Sequence, residues 1–236
     1  MSDKRRALRD VFAQHNLLGV FSPEDLDRLA AVSLTRTYRP GQNIFLKGDL
    51  GDSMMAVLSG RVRISSNSAD GREVVLAVLE PGELMGEIAM IDGGERTADA
   101  VALAPTDLLI LSRRDFLPCL RQSSEACWKL LMIMAQRLRR TDEQVEDMSF
   151  LPLKIRLAKR LLFLADHYGE PSGASIRISI HLPQQLLASM VSTSREAVNK
   201  QLRAWHEAGV VDVKRGVIIV LDREALEDVV SEEPQR

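Results

Sequence analysis

The sequence predicts an α+β chain: a β-rich N-terminal part, then a long helix, then a helical C-terminal part with a hairpin. Three observations predict it. Turn dipeptides recur through residues 32–112 with short apolar runs between them. Apolar residues then keep a heptad spacing as far as Met148 with almost no turn signal. A helix–turn–helix–hairpin pattern follows over residues 183–220.

Composition narrows the function classes. The chain has 236 residues, 45% hydrophobic and 27% charged, enough to bury a core and outside disordered compositions. No apolar run approaches the ~18 residues of a membrane span, so no membrane partner is expected. The start, MSDKRRALRD, has no apolar stretch behind its basic residues, so no secretory leader is expected. Cys119 and Cys127 are the only cysteines, within one helical pattern. That excludes a disulfide-rich fold, a four-cysteine zinc site and an all-cysteine iron–sulfur cluster, and a reducing cytoplasm is the expected compartment. His15, His167, His181 and His206 have no metal-ligand spacing and read as surface or partly buried side chains. No metal, cofactor or catalytic residue is expected: the sequence has no P-loop, nucleophile elbow or HExxH. Residues 1–150 carry 19 Lys+Arg against 22 Asp+Glu, residues 151–222 carry 10 against 6, and residues 223–236 carry 2 against 5. A polyanion would prefer the middle segment.

The elements follow in order. Leu8, Val11 and Phe12 show helical spacing, and Ser22-Pro23-Glu24-Asp25 reads as a cap, a Pro at the first helical position and acids in the first turn. Pro40-Gly41, Ser59-Gly60, Asp70-Gly71, Pro81-Gly82 and Gly93-Gly94 punctuate the next segment, whose spacing fits a β-sandwich, jelly roll or barrel. Leu58 and Val62 around Ser59-Gly60 predict a tight hairpin. Cys127, Leu131, Met134, Leu138, Thr141, Val145 and Met148 step by fours and threes, an a/d seam. Such a helix packs on its own sandwich or pairs with a copy of itself, and a 3.5-residue period kept this long favours the copy. Phe150-Leu151-Pro152 breaks the helix and reads as a hinge. Leu153–His167 is amphipathic, Gly169–Ala174 reads as a loop, and Ile176, Ile178 and Ile180 alternate as in a strand.

The run Gly86-Glu87-Ile88-Ala89, followed by Arg96-Thr97-Ala98, carries the first candidate site. A glycine admits close backbone approach, a short helix from Glu87 offers free N–H groups, and Arg96, taken as part of the next strand, offers a forked cation. A carboxylate beside a phosphate site makes sense where a sugar hydroxyl accompanies the phosphate. Spacing alone fits a surface loop with an ion pair equally well. The two motifs resemble the phosphate-binding cassette of cyclic-nucleotide-binding domains, in which a β jelly roll carries the cassette between two strands. The resemblance implies that Arg96 holds the cyclic phosphate, that Glu87 holds the ribose 2′-OH, and that Ile88 and Ala89 amides with Thr97 complete the cradle. It places Thr141 and Asp142 of the long helix at the base, from both subunits. Thr141 matches the family threonine; Asp142 departs from the serine of the best-known cAMP receptor. Asp142 is an acceptor only, which suits the donors of guanine as well as adenine, and Thr97 is what guanine-tolerant members carry. The ligand implied is cAMP, with cGMP as a second candidate.

The second site lies in PQQLLASMVSTSREAVNKQLRAWHEA. Leu186, Leu187 and Met190 mark one helix and Ser192-Thr193 the turn. Ser194 caps a second helix whose inner face is Ala197, Val198, Leu202 and Trp205, and Gly209 ends it. Ser194, Arg195, Glu196, Asn199, Lys200 and Arg203 form the opposite face, and a hairpin with Lys214 and Arg215 at its tip follows. This is a winged helix-turn-helix. Arg195 suits guanine, Glu196 a cytosine amino group, Lys200 guanine or phosphate, and Lys214 and Arg215 backbone phosphate, with Thr193 at the turn. Ser194-Arg195-Glu196 resembles the recognition helix of the CRP/FNR regulators, although Lys200 stands where arginine is usual in the catabolite-activator branch and Ser192 where glycine is common. The resemblance implies a cyclic-nucleotide-binding jelly-roll domain over 1–122, a dimerisation helix over 123–149 and a DNA-binding winged helix-turn-helix domain over 150–236. It further implies a homodimer on pseudo-palindromic double-stranded DNA, with RNA polymerase as its partner at promoters.

Overall fold

The computed structural model describes Phe12 and residues 15–180, 182–214 and 216–232. The helical spacing at Leu8 and Val11, His181 and Arg215 lie outside the described residues. The chain divides into two compact units, Met1–Ser66 with Leu76–Arg140, and Asn67–Val75 with Thr141–Arg236.

In the first unit, helix α1 (Pro23–Val32) starts as its sequence dictates: the Ser22 hydroxyl accepts the Asp25 N–H at 3.1 Å, with Pro23 in the first turn. Eight strands follow: β1 (Leu34–Tyr38), β2 (Asn43–Phe45), β3 (Ser53–Ser59), β4 (Val62–Asn67), β5 (Glu73–Leu79), β6 (Leu84–Met85), β7 (Asp99–Ala102) and β8 (Thr106–Ser112). They form two four-stranded sheets in the orders β1-β8-β3-β6 and β2-β7-β4-β5, the interleaving of a jelly roll. Tyr38, Val57, Val62, Ala100 and Leu108 pack between the sheets, all nearly free of solvent.

The predicted hairpin at Ser59-Gly60 does not form. β3 pairs with β8 and β6, while β4 pairs with β7, so the chain passes from one sheet to the other at this corner. Gly60 has φ +82°, and a Cβ there would sit 2.3 Å from the Pro105 carbonyl oxygen. The buried Thr106 hydroxyl accepts the Arg61 N–H at 3.2 Å and so closes the corner. A turn dipeptide specifies a reversal but not which sheet receives the next strand.

Helix α2 (Glu87–Asp92) lies between β6 and β7, and helices α3 (Arg113–Gln122) and α4 (Ser124–Phe150) follow β8. Cys119 and Cys127 thus sit on separate helices rather than within one, because the Ser123 hydroxyl and carbonyl cap a new start, accepting the Ala126 and Cys127 N–H groups at 3.1 and 3.0 Å. Ala126 and Leu130 of α4 are buried with α3 and the β1-β8-β3-β6 sheet, and Ile133 packs beside them. The adjoining seam is open: Leu131 is 61%, Leu138 62% and Val145 56% exposed. His15 is buried rather than superficial, its Nδ1 accepting the Leu17 N–H at 3.1 Å.

In the second unit, Pro152 precedes helix α5 (Leu153–Tyr168). The expected loop at 169–174 is a strand and a turn: β9 (Gly169–Ser172) pairs with β10 (Ser175–Ile178), and Gly173 at φ +65° makes the two-residue reversal. Helices α6 (Gln184–Met190) and α7 (Arg195–Glu207), strands β11 (Val211–Lys214) and β12 (Val217–Val220), and helix α8 (Arg223–Ser231) complete it, with a sheet ordered β11-β12-β10-β9. Leu161, Leu187, Val198, Leu202, Val211 and Leu226 are among its buried residues. No helix among the described residues is long and apolar enough to cross a membrane.

Candidate functional site

Gly86 begins α2 with φ +77°, and a Cβ there would sit 2.2 Å from an Arg96 guanidinium nitrogen. Arg96 donates to the Gly86 carbonyl at 2.9 Å and to the Ser53 hydroxyl at 3.1 Å, and its guanidinium lies 4.5 Å from the Phe45 ring centroid. It stands in the loop before β7 rather than in the strand, since Glu95 forms only an isolated bridge with Leu50 and pairing resumes at Asp99. The Arg96 N–H donates to the Asp49 carbonyl at 2.8 Å. Arg96 is 5% exposed, and burial depresses its pKa against the opposing pull of Asp52, Glu87 and Asp49. The first N–H bonded into α2 is that of Met90, to Gly86; the N–H groups of Glu87, Ile88 and Ala89 precede the ladder. Ala89 and Ala98 are buried, whereas Ile88 and Thr97 are exposed.

Glu87 is 2% exposed, and its Oε1 meets the Arg137 guanidinium at 2.5 Å. Arg137 also donates to the Leu84 carbonyl. The other Glu87 oxygen, Oε2, is buried with no hydrogen-bond partner. None of the sequence motifs above includes Arg137. The available signal was its place four residues before Thr141, one turn earlier on the same helix. Thr141 and Asp142 belong to the second unit and are both exposed on α4. Among the described residues no group of three or more His, Cys, Asp or Glu is placed to hold a metal ion.

In the second unit, the Ser194 hydroxyl accepts the Ala197 N–H at 3.2 Å and caps α7 as its residue type predicts. Ser192 holds φ +52° in the turn, the left-handed conformation that glycine adopts freely, and Thr193 N–H closes onto Ala188 at 3.1 Å. Val198, Leu202 and Trp205 face inward, and Ser194, Arg195, Glu196, Lys200 and Arg203 are exposed. Its own N–H, the Ser194 hydroxyl and Arg195 hold the Glu196 carboxyl below the usual range. Asn199 is half-buried, its Oδ1 without a partner. Lys214, at the end of β11, pairs with Asp212 at 2.6 Å.

The family of cyclic nucleotide-binding domains matches residues 35–123, and Crp-like helix-turn-helix domains match residues 155–229. Over 208 residues the chain is 37% identical to a cyclic AMP receptor protein of Thermus thermophilus, covering 88% of this chain and 93% of that protein. The chain belongs to the CRP/FNR family of transcription regulators. A second CRP/FNR relative, a CRP-like cAMP-activated global transcriptional regulator of Mycobacterium tuberculosis, is 31% identical over 213 residues, 88% of this chain and 94% of that one. Among solved structures, the c-di-GMP-responsive global regulator CLP of Xanthomonas campestris shares the fold with a TM-score of 0.75 at 23% identity, over 84% of this chain and 99% of that one. As a CRP/FNR regulator, this chain carries its Gly86–Ala98 motifs inside the nucleotide-binding match and its Thr193–Lys214 segment inside the helix-turn-helix match.

Proposed function

We propose that this regulator is a homodimer that binds promoter DNA in response to a cyclic nucleotide, with cAMP as principal ligand and cGMP as a second. One observation carries the reading: the cassette buries a cation and a carboxylate together, and the carboxylate keeps one oxygen unpartnered. A cyclic phosphate suits the Arg96 fork and the open N–H groups at Ile88 and Ala89, and Gly86 leaves room for the Arg96 guanidinium. The ribose 2′-OH supplies the donor that Glu87 Oε2 lacks. Thr97 adds a hydroxyl at the rim, and Ala98 packs beneath. Thr141 and Asp142 read the base from the seam between subunits.

The open seam on α4 supports the homodimer, since Leu131, Leu138 and Val145 are each more than half exposed along one helix. In that dimer two copies of α7 meet successive major grooves about 34 Å apart. Arg195, Glu196 and Lys200 contact bases, Thr193, Ser194 and Asn199 support them, and Lys214 with Arg215 meets phosphate. Nucleotide shifts the population toward a form whose DNA-binding domains are turned about Phe150–Leu153 into register, and specific DNA tightens nucleotide binding by the same factor. RNA polymerase in the cytoplasm is the partner at promoters.

Band shifts with and without cAMP and cGMP, alongside calorimetric titration of both, test this. Saturable nucleotide binding that raises DNA affinity is expected. A second reading, an orphan regulator that binds DNA unaided, is favoured by the internal pairing of Glu87 with Arg137 and of Arg96 with Gly86 and Ser53. Full DNA affinity without nucleotide, and no heat on titration, would select it.

A further inference from the structure

Helix α2 has six residues, too few to hold themselves helical without outside support. Gly86 sets its first turn; its last turn is held by a residue from another helix. Arg113, the first residue of α3, donates from Nε to the Met90 carbonyl at 2.7 Å and from its Nη2 to the Ile91 carbonyl at 3.4 Å. Carbonyls of a helix's last turn lack partners in the helix, and a permanent positive charge there complements the negative end of its dipole. The Arg113 backbone N–H donates to the Asp52 carbonyl at 2.7 Å, one residue before Ser53, whose hydroxyl accepts from Arg96. Gly93 ends α2 at φ +79°, and a Cβ there would lie 3.3 Å from the Arg113 guanidinium, so the glycine leaves the space in which that group lies. Met90, fully buried, shares an apolar cluster with Phe116, Cys119 and Leu120 of α3.

We propose that Arg113 is a positioning residue for the cassette: its side chain fixes the end of α2 to the head of α3, beside the backbone bond that holds Asp52 just before β3, and thereby sets the affinity of the pocket for a cyclic phosphate. The donor groups that would face the phosphate belong to α2 and to Arg96. Arg113 holds both supports at once, one through its side chain and one through its backbone. Because α3 runs into α4 through the Ser123 cap, the same contact ties the cassette to the helix that carries the open seam.

The proposal rests on the cyclic-nucleotide reading of the cassette, and the experiment separates the two. Full-length wild type, Arg113→Ala and Arg113→Lys are compared by calorimetric titration with cAMP and by amide hydrogen exchange in α2, β3 and β8. Arg113→Ala is expected to raise the cAMP Kd about ten-fold and to speed exchange at Met90 and Gly93 by about the same factor, while β3 and β8 keep their protection. Arg113→Lys keeps the charge but loses the fork across two carbonyls, and falls between. It also carries the test if the alanine variant does not fold. An unchanged Kd, or faster exchange in β3 and β8 in proportion to α2, would overturn the proposal, because a merely structural residue loosens the unit as a whole. If wild type takes up no cAMP the reading of the pocket fails, and the hold of Arg113 on α2 is then decided by the exchange pattern alone.

Discussion

The Arg137 guanidinium closes on the Glu87 carboxylate at 2.5 Å, joining the long helix to the head of the cassette helix. Glu87 is almost wholly buried, so removing Arg137 leaves its carboxylate without its direct ion-pair partner and out of reach of water. Arg137→Ala is expected to lower stability by about 2–3 kcal/mol in denaturant unfolding, less than for a fully buried pair because Arg137 keeps some contact with solvent. Adding Glu87→Gln should restore most of the loss. If the double variant is no more stable than the single one, the pair is not what Arg137 contributes.

Arg96→Ala removes the only forked cation between Gly86 and Ala98. Nucleotide-stimulated DNA binding is expected to disappear, with cAMP affinity down about 100-fold by calorimetry. Unchanged affinity would remove the pocket assignment.

Asp142→Ala is expected to change the ratio of cAMP to cGMP affinity, by about ten-fold, and more than Thr97→Ser does. Titration of both nucleotides against both variants measures this. Equal loss for the two ligands would leave Asp142 without a part in base choice.

Arg195 is exposed at the first position of α7. Arg195→Ala should cost about 1–3 kcal/mol on specific sites and relax one base position. A uniform loss across all sequences in a binding-site selection would make it a phosphate contact instead.

Burial disfavours the charged form of His15. Burial lowers its pKa below 6.5, and its Nδ1 is already engaged as an acceptor. Between the folded and unfolded pKa values the unfolded chain binds the extra proton, so stability falls as pH drops below about 6.5 and levels off below the folded value. The slope for one proton is at most about 1.4 kcal/mol per pH unit. Thermal unfolding from pH 8 to pH 5 should show a shallower fall in His15→Asn, whose side-chain oxygen can accept the same N–H.

Local signals were the most legible in the sequence. The Ser22 and Ser194 caps, the break at Pro152 and the start of α2 at Gly86 each depend on a few adjacent residues, and each lies where its residue types place it. The two cassette motifs fitted a surface loop equally well by spacing, and only their resemblance to a known cassette set them apart. Ser59-Gly60 was misread because its strands find partners far along the chain, β3 with β8 across about fifty residues. Gly169–Ala174 was misread because β9, GEPS, has no apolar alternation and is a strand only through pairing with β10. Arg137 and Arg113 were not singled out for a related reason: an arginine announces a charge but not the distant carbonyl or carboxylate that will receive it.

Helix α4 carries two adjacent rows, Ala126-Leu130-Ile133-Arg137 toward its own domain and Leu131-Leu138-Val145 toward solvent, offset by a single position. Deleting one residue after Leu130 would swing everything beyond it by about 100°. Arg137 would then no longer point at Glu87, and the outward row would turn away from its present heading. The spacing along this rod is therefore as constrained as its chemistry, and relatives of this chain should tolerate altered side chains there far more readily than altered length.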